Sequence, residues 1–369
     1  MKQSISYGDI SYGCGTNVVV CPAFCDVHVH FRVPGRPDKE TIVTGCRSAV
    51  AGGYTTVCPM PNLNPVPDSP GHLAEELGLI EKDAFIEVLP YASITLGRKG
   101  LEPVDVRALK DSVVAFSDDG SGVQDDSVLR KAMEMTASEG CVLASHCEDV
   151  RYGTAPEGEW MQIGRDLRLA EETGCRFHVC HISTARSVDL IREAKSRGVD
   201  VTCETAPHYL LLCEDDRSDE GRFKMNPPLR TAADRRAIMD GLLDGTIDMI
   251  ATDHAPHTAE EKSLGLQGSA FGIVGLETAF PVLYTHLVRT GVISLEKLVD
   301  LMSSAPRRRF GIDTDPGSYT VFDVRDPYVI DSAKFFSKGH STPFDGWEVY
   351  GRCLKTVYKG KTVYETGNI

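Results

Sequence analysis

Eight short runs of β-branched, aromatic and small apolar residues recur along this chain, and segments with charged, helix-like faces separate most of them. The runs span 24–30, 55–60, 87–94, 113–117, 141–147, 175–181, 200–205 and 248–252. Helical periodicity is clearest at 127–139 and 185–197. Strands that alternate with helices imply a parallel sheet. Eight such units within roughly 250 residues predict an α/β fold of the (β/α)8 TIM-barrel kind. An open doubly wound sheet would carry a Gly-rich phosphate loop after its first strand, and none follows 24–30. The two ends read differently. Residues 1–22 and 316–369 contain short alternating runs such as 318–324 and 356–364, with a turn at Lys359-Gly360. The expected organisation is a barrel over 23–315, with 1–22 and 316–369 meeting beside it in a small β-sandwich.

At 369 residues the chain has room for such a domain and a smaller appendage. Its net charge of -14 argues against nucleic acid and anionic membrane as partners. An anionic small-molecule substrate would therefore need a local cluster of cations. The twelve cysteines are scattered through apolar runs and form no CxxC pair, which fits buried reduced thiols better than a zinc knuckle. The chain opens on no signal-like segment and has no apolar run long enough to span a bilayer, so a cytoplasmic location is expected.

Chemistry-bearing residues gather where the predicted strands end. The first strand runs into Asp26-Val27-His28-Val29-His30-Phe31-Arg32. Side chains alternate along a strand, so His28 and His30 share a face, and Arg32 has the same parity. Two imidazoles on one face can grip a metal ion. Strand four runs into Asp118-Asp119-Gly120, strand five into His146-Cys147-Glu148-Asp149, strand six into His181, and strand eight into Asp253-His254-Ala255-Pro256-His257. One such residue is usually a cap or turn former. Five strand ends together point to a site at the C-terminal edge of the sheet. Six ligands exceed one four-coordinate zinc and suit two ions that share a carboxylate. Spacing leaves Asp118 and Asp119 as equal candidates for that place.

The HxHxR start, Cys58-Pro59-Met60-Pro61-Asn62, His146-Cys147-Glu148-Asp149, Asn226-Pro227-Pro228-Leu229-Arg230 and Asp253-His254-Ala255-Pro256-His257 together resemble the dihydroorotases of the amidohydrolase superfamily. The likeness is to the bacterial branch that bridges its metals with an aspartate, since no lysine ends strand four; Lys110 lies before it. The resemblance implies two zinc ions bridged by Asp119 and a hydroxide. His28, His30 and Asp253 would hold one ion, and His146 and His181 the other. Strand parity puts His181 on one face with Phe177 and Val179, and His178 on the other. His208 is read as a packed histidine. The implied reaction is reversible opening of the cyclic amide of dihydroorotate to carbamoyl aspartate, a step of pyrimidine biosynthesis, with Asp253 shuttling the proton. His30, Arg32, Asn62, Asn226, His257 and the backbone at Phe271 and Gly272 would contact the substrate.

The same resemblance marks two departures, a short arm before His28 and a short segment over 150–165. Residues 258–270 are polar and Gly-rich, as in a mobile lid or a plain surface loop. A hydantoinase or allantoinase is the competing enzyme reading, and the missing lysine argues against it. A non-catalytic scaffold for aspartate transcarbamoylase is the other, and it would lack the ligands. Expectations left open are a homodimer and association with aspartate transcarbamoylase.

Overall fold

A computed structural model describes residues 4–7, 10–14 and 18–367. Eight parallel strands form its centre: β1 (Phe24–Val29), β2 (Tyr54–Pro59), β3 (Glu87–Val88), β4 (Phe116–Ser117), β5 (Val142–Ser145), β6 (Arg176–Val179), β7 (Val201–Thr205) and β8 (Met249–Ile250). They pair as a three-stranded sheet, β1-β2-β3, and a five-stranded sheet, β8-β7-β6-β5-β4. Parallel bridges Ala92–Phe116 and Val29–His254 link the two sheets at both edges. The fold is thus mixed α/β with parallel strands.

Strands β3 and β8 are shorter than their sequence runs for local reasons. Pro90 has no N–H to give to a ladder. The 87–94 run therefore changes partner there: Leu89 and Tyr91 donate to Val57 and Pro59, while Ala92 donates to Ala115. At the end of β8 the Thr252 N–H turns to the Asp26 carboxylate at 3.2 Å instead of a backbone carbonyl.

Both faces of the parallel strands are buried, as such sheets require. Cys25, Val27, Cys58, Met60, Tyr91, Val142, Ala144, Cys180, Met249 and Ala251 pack on one another across the strands. Phe24, Val29, Val57, Phe116, Leu143, Phe177, Val179 and Val201 form the opposite layer, against the helices. Those helices present narrow apolar stripes. Helix α1 (Asp126–Ser138) buries Leu129, Ala132, Met133 and Thr136, and the Asp125 side chain caps it by accepting from the Ser127 and Val128 amides. Helix α2 (Pro156–Thr173) ends at Gly174 with φ 67°. Helix α3 (Ala185–Ser196) is capped by Thr184.

The chain ends meet in one six-stranded antiparallel sheet, in the order Ser4–Tyr7, Ile10–Cys14, Val18–Pro22, Tyr319–Asp323, Arg352–Tyr358, Lys361–Glu365. Lys359 and Gly360, at φ 48° and 76°, make the tight turn of its last hairpin. Phe322 of this sheet stacks on Phe280 at 3.8 Å and on Phe24 of β1 at 5.7 Å, which ties the ends to the central strands. The eleven cysteines whose side chains are described are free, and all of these but Cys141 are buried. Among the described residues no helix is long and apolar enough to cross a membrane.

Candidate active site

The six expected ligands converge beyond the C-terminal ends of the strands, and all six are buried. Asp119 lies at the centre. Its Oδ1 is 3.3 Å from His28 Nε2, 3.7 Å from His146 Nδ1 and 3.6 Å from His181 Nε2, and its Oδ2 is 3.6 Å from His30 Nε2. Asp253 Oδ1 lies 3.1 Å from His30 Nε2 and 3.5 Å from His28 Nε2. His146 Nδ1 and His181 Nε2 approach to 3.0 Å. Two triads share Asp119: His28, His30 and Asp119, and Asp119, His146 and His181.

The outer nitrogens of three of these rings are occupied. His28 Nδ1 donates to Glu204 at 2.6 Å, His30 Nδ1 to Asn62 Oδ1 at 2.9 Å, and His146 Nε2 to Glu148 at 3.0 Å. With a ring proton held by each of these partners, a neutral ring would present the lone pair of its inward nitrogen to a cation. Lone pairs of nitrogen and carboxylate oxygen then face one another across the centre. His28 Nε2 and Asp119 Oδ1 are buried with no hydrogen-bond partner. Burial lowers the affinity of His28 for a proton, yet the Asp119 and Glu204 carboxylates outweigh it and hold the ring well above its ordinary pKa. Burial likewise opposes charge on Asp119, and the imidazoles of His28 and His181 overcome it and hold the carboxyl well below its usual range. Positive charge is favoured at this centre. A divalent cation bound by imidazole and carboxylate fits it.

Backbone geometry aims several of these groups. Among the described residues five non-glycine residues have positive φ, and Arg32 (62°), Arg98 (54°), His181 (31°) and Asp253 (50°) are four of them. Such conformations are uncommon and cluster where the surroundings impose them. They also overturn two parity arguments. β1 ends at Val29, so Arg32 reaches the site from a left-handed turn, not from the strand face. Phe177 and Val179 point into the helix-facing layer, whereas His178 points inward, its Nε2 3.1 Å from Glu204. His181 enters the site because the chain leaves β6 and turns left-handed there. Glu159 of α2 anchors the following turn, accepting from the Ser183 and Thr184 amides at 2.9 and 3.0 Å.

The adjacent aspartates part company. Asp118 accepts from the Ile94 and Thr95 amides at 2.8 and 3.2 Å and so fastens the loop after β3, while Asp119 faces the histidines. The expected substrate groups ring the cluster. The Arg32 guanidinium donates to the Pro256 carbonyl and lies 3.3 Å from His257 Nε2, both neutral partners. His257 Nε2 donates to the Phe271 carbonyl at 2.7 Å, and Lys39 Nζ lies 3.0 Å from its Nδ1. Burial, with the charges of Arg32 and Lys39, pushes His257 down to about 4. Asn62 Nδ2 donates to Asp119 at 3.4 Å, and Asn226 Nδ2 to Glu148 at 2.6 Å. His208 is buried against Tyr209, outside both triads.

Comparison with known proteins decides the family. Residues 17–155 match the family model of dihydro-orotase-like proteins. The dihydroorotase of Geobacillus thermodenitrificans is 48% identical over 376 residues, covering 95% of this chain and 88% of the relative. The chain belongs to the dihydroorotase family. The dihydroorotase of Shouchella clausii is 46% identical and covers 100% of this chain and 92% of its own. Among solved structures, the L-hydantoinase (dihydropyrimidinase) of Arthrobacter aurescens superposes with a TM-score of 0.85 at 27% identity, over 95% of this chain and 86% of that one. Like its dihydroorotase relatives and this hydantoinase neighbour, the chain is a cyclic-amide hydrolase.

Four groups escaped the sequence reading of this dihydroorotase-family site. Glu204 sits under His28 and also accepts from His178; an acid inside the apolar strand β7 was its signal, since a buried charge demands a partner. Glu148, two residues after His146, joins that ring to Asn226. Glu159 carried no local signal. Neither did Arg98, whose guanidinium donates to the Asp119 carbonyl from a distant loop.

Proposed function

We propose that this protein catalyses the reversible hydrolysis of dihydroorotate to carbamoyl aspartate, with two zinc ions per chain. The observation that carries the reading is the buried Asp119 carboxylate facing four imidazoles, with Asp253 alongside. His28, His30 and Asp253 would hold one ion and His146 and His181 the other, with Asp119 shared. Bound there, the ions supply Lewis acidity for the ring carbonyl and an acidified water at neutral pH.

The chain's own residues do the rest. Burial raises the pKa of Asp253, but its bond to His30 and the charge of His28 outweigh this and keep it ionised. Its carboxylate can take the proton of the attacking water and return it to the ring nitrogen. The carbonyl carbon gains the water oxygen, the C–N bond breaks, and the proton ends on nitrogen. Ring closure runs the same path backward. Arg32, which among the described residues donates to the Pro256 carbonyl and lies beside His257, offers its fork to the substrate carboxylate. His257 and Asn226 flank the ring, and the Phe271–Gly272 backbone lies along it.

The same reading takes the two bridged sheets as one closed (β/α)8 barrel over 23–315, and the chain ends, 1–22 and 316–369, as a small β-sandwich. It includes action in the cytoplasm and a homodimer. Gel filtration alone, and with an aspartate transcarbamoylase, tests assembly. The deciding experiment loads the protein with zinc and follows dihydroorotate by absorbance, with hydantoin and allantoin as controls. Dihydroorotate turnover that exceeds both controls is expected. Preference for either control, or no turnover with two ions bound, defeats the proposal.

A further inference from the structure

Lys262 ends the short helix Ala259–Lys262, in the segment between His257 and Phe271. It is only 8% exposed. Its ammonium donates to three backbone carbonyls: Lys224 at 2.9 Å, Ala270 at 2.8 Å and Gly272 at 2.7 Å. Those three bonds use every donor the group has. Neighbouring charges are Lys224, whose Nζ lies over the Phe271 ring at 4.3 Å, and Glu261, which pairs with Lys39 at 2.9 Å. Burial, with the charge of Lys224, pushes Lys262 down to about 7, and the three carbonyls are what solvate its ammonium form.

The three carbonyls belong to the two stretches that face the site. Lys224 is two residues before Asn226; Ala270 and Gly272 flank Phe271. Other contacts tighten the junction. The Gly272 amide donates to the Lys224 carbonyl at 3.0 Å, and the Ala270 amide to the Glu261 carbonyl at 3.0 Å. Gly272 has φ 135°, and a Cβ there would lie 2.6 Å from the Ala255 carbonyl oxygen. At Gly221 a Cβ would lie 2.1 Å from the Lys262 carbonyl oxygen, so the helix sits directly on that turn. The expected lid is therefore nailed down at its middle.

We propose that Lys262 is a positioning residue for substrate recognition, its ammonium holding Phe271–Gly272 at a set distance from Lys224–Asn226. The inference rests on the reading that these two stretches contact the dihydroorotate ring. Ammonium–carbonyl bonds are charge-assisted and stronger than neutral ones, and their tetrahedral geometry suits three acceptors in a way the planar guanidinium does not.

The test compares Lys262→Met and Lys262→Arg with wild type, all loaded with zinc. Met keeps the apolar stem and loses the donors. The expected result for Lys262→Met is a KM for dihydroorotate raised at least tenfold, kcat within threefold, and unchanged zinc content. Lys262→Arg should restore less than half of that loss. An unchanged KM, or a fall in kcat together with zinc loss, overturns the proposal. Hydrogen exchange on substrate-free wild type supplies a second readout should the variants not fold. The Gly272 and Ala270 amides should exchange slowly, and rapid exchange across 258–272 overturns the clamp. Failure of wild type to turn over dihydroorotate would sink the functional reading instead, and the exchange pattern would still decide the clamp.

Discussion

The ligand cluster and the rim around it are built on opposite plans. In the cluster, the inward atoms of His28, His30, His146, His181, Asp119 and Asp253 face one another, and two of them, His28 Nε2 and Asp119 Oδ1, have no hydrogen-bond partner. In the rim, every group already holds a partner: Arg32 donates to the Pro256 carbonyl, His257 to the Phe271 carbonyl, Asn62 bonds His30 and Asp119, and Asn226 donates to Glu148. The cluster is preorganised around facing donor atoms, an arrangement that suits a divalent cation. The rim groups are already bonded, and on the proposed reading they would have to exchange bonds when a substrate enters. Removal of a group should therefore be catastrophic in the cluster and graded in the rim.

The largest effect is expected at Asp253. Asp253→Asn removes the proton shuttle and should lower kcat by about 10²–10⁴-fold, with little change in the thermal midpoint. Near-normal turnover would break the comparison at its strongest point. Asp119→Ala should lose metal together with activity, whereas Asp118→Ala should keep both ions, and elemental analysis of the two variants reads this directly. The reverse pattern would exchange the two aspartates.

A smaller effect separates the cluster from its support. Glu204→Gln keeps a hydrogen bond to His28 but removes the buried charge. Zinc affinity measured by titration of the apoprotein should fall by about 10–100-fold. An unchanged affinity would mean that His28 needs no carboxylate behind it.

The rim comes next. Arg32→Met should lower kcat/KM for dihydroorotate by at least roughly tenfold, since a charge-assisted bond is worth about 1.5–3 kcal/mol. A neutral analogue without the carboxylate should suffer much less. Equal losses on both substrates would move Arg32 from the rim into the cluster's support.

The smallest effect is a pH dependence. His257 is held at about 4 against an ordinary 6.5. Below 6.5 the unfolded chain binds a proton that the folded imidazole refuses until about pH 4. Its contribution to stability is therefore full above 6.5 and is lost as pH falls through that window. Urea midpoints at pH 7.5 and 4.5 should drop further for wild type than for His257→Gln, by at most ~3 kcal/mol. Equal drops would show that the rim does not hold His257 neutral.

The cluster was legible in the chain because its residue types are scarce and its positions repeat: His or Asp at five strand ends is hard to reach by chance. The parallel strands were legible from alternation of apolar runs with amphipathic segments, although Pro90 cut the third one short. Parity failed wherever the strand had already ended. Arg32 and His181 sit in left-handed turns, and a period-two rule has no meaning there. The proposed substrate rim was legible only through resemblance, because Phe271 and Gly272 would act by their backbone and any sequence offers a backbone. Lys262 looked like an ordinary polar lid residue, and its burial depends on carbonyls 38, 8 and 10 residues away.

Local chemistry by itself determined which atoms could hold a cation, since donor type and spacing along one strand are properties of the chain. Only the tertiary structure decided between Asp118 and Asp119. The two are adjacent and identical, and the Ile94 and Thr95 amides capture the first while four imidazoles from other strands surround the second. A carboxylate goes where donors await it, and those donors arrive from far along the sequence.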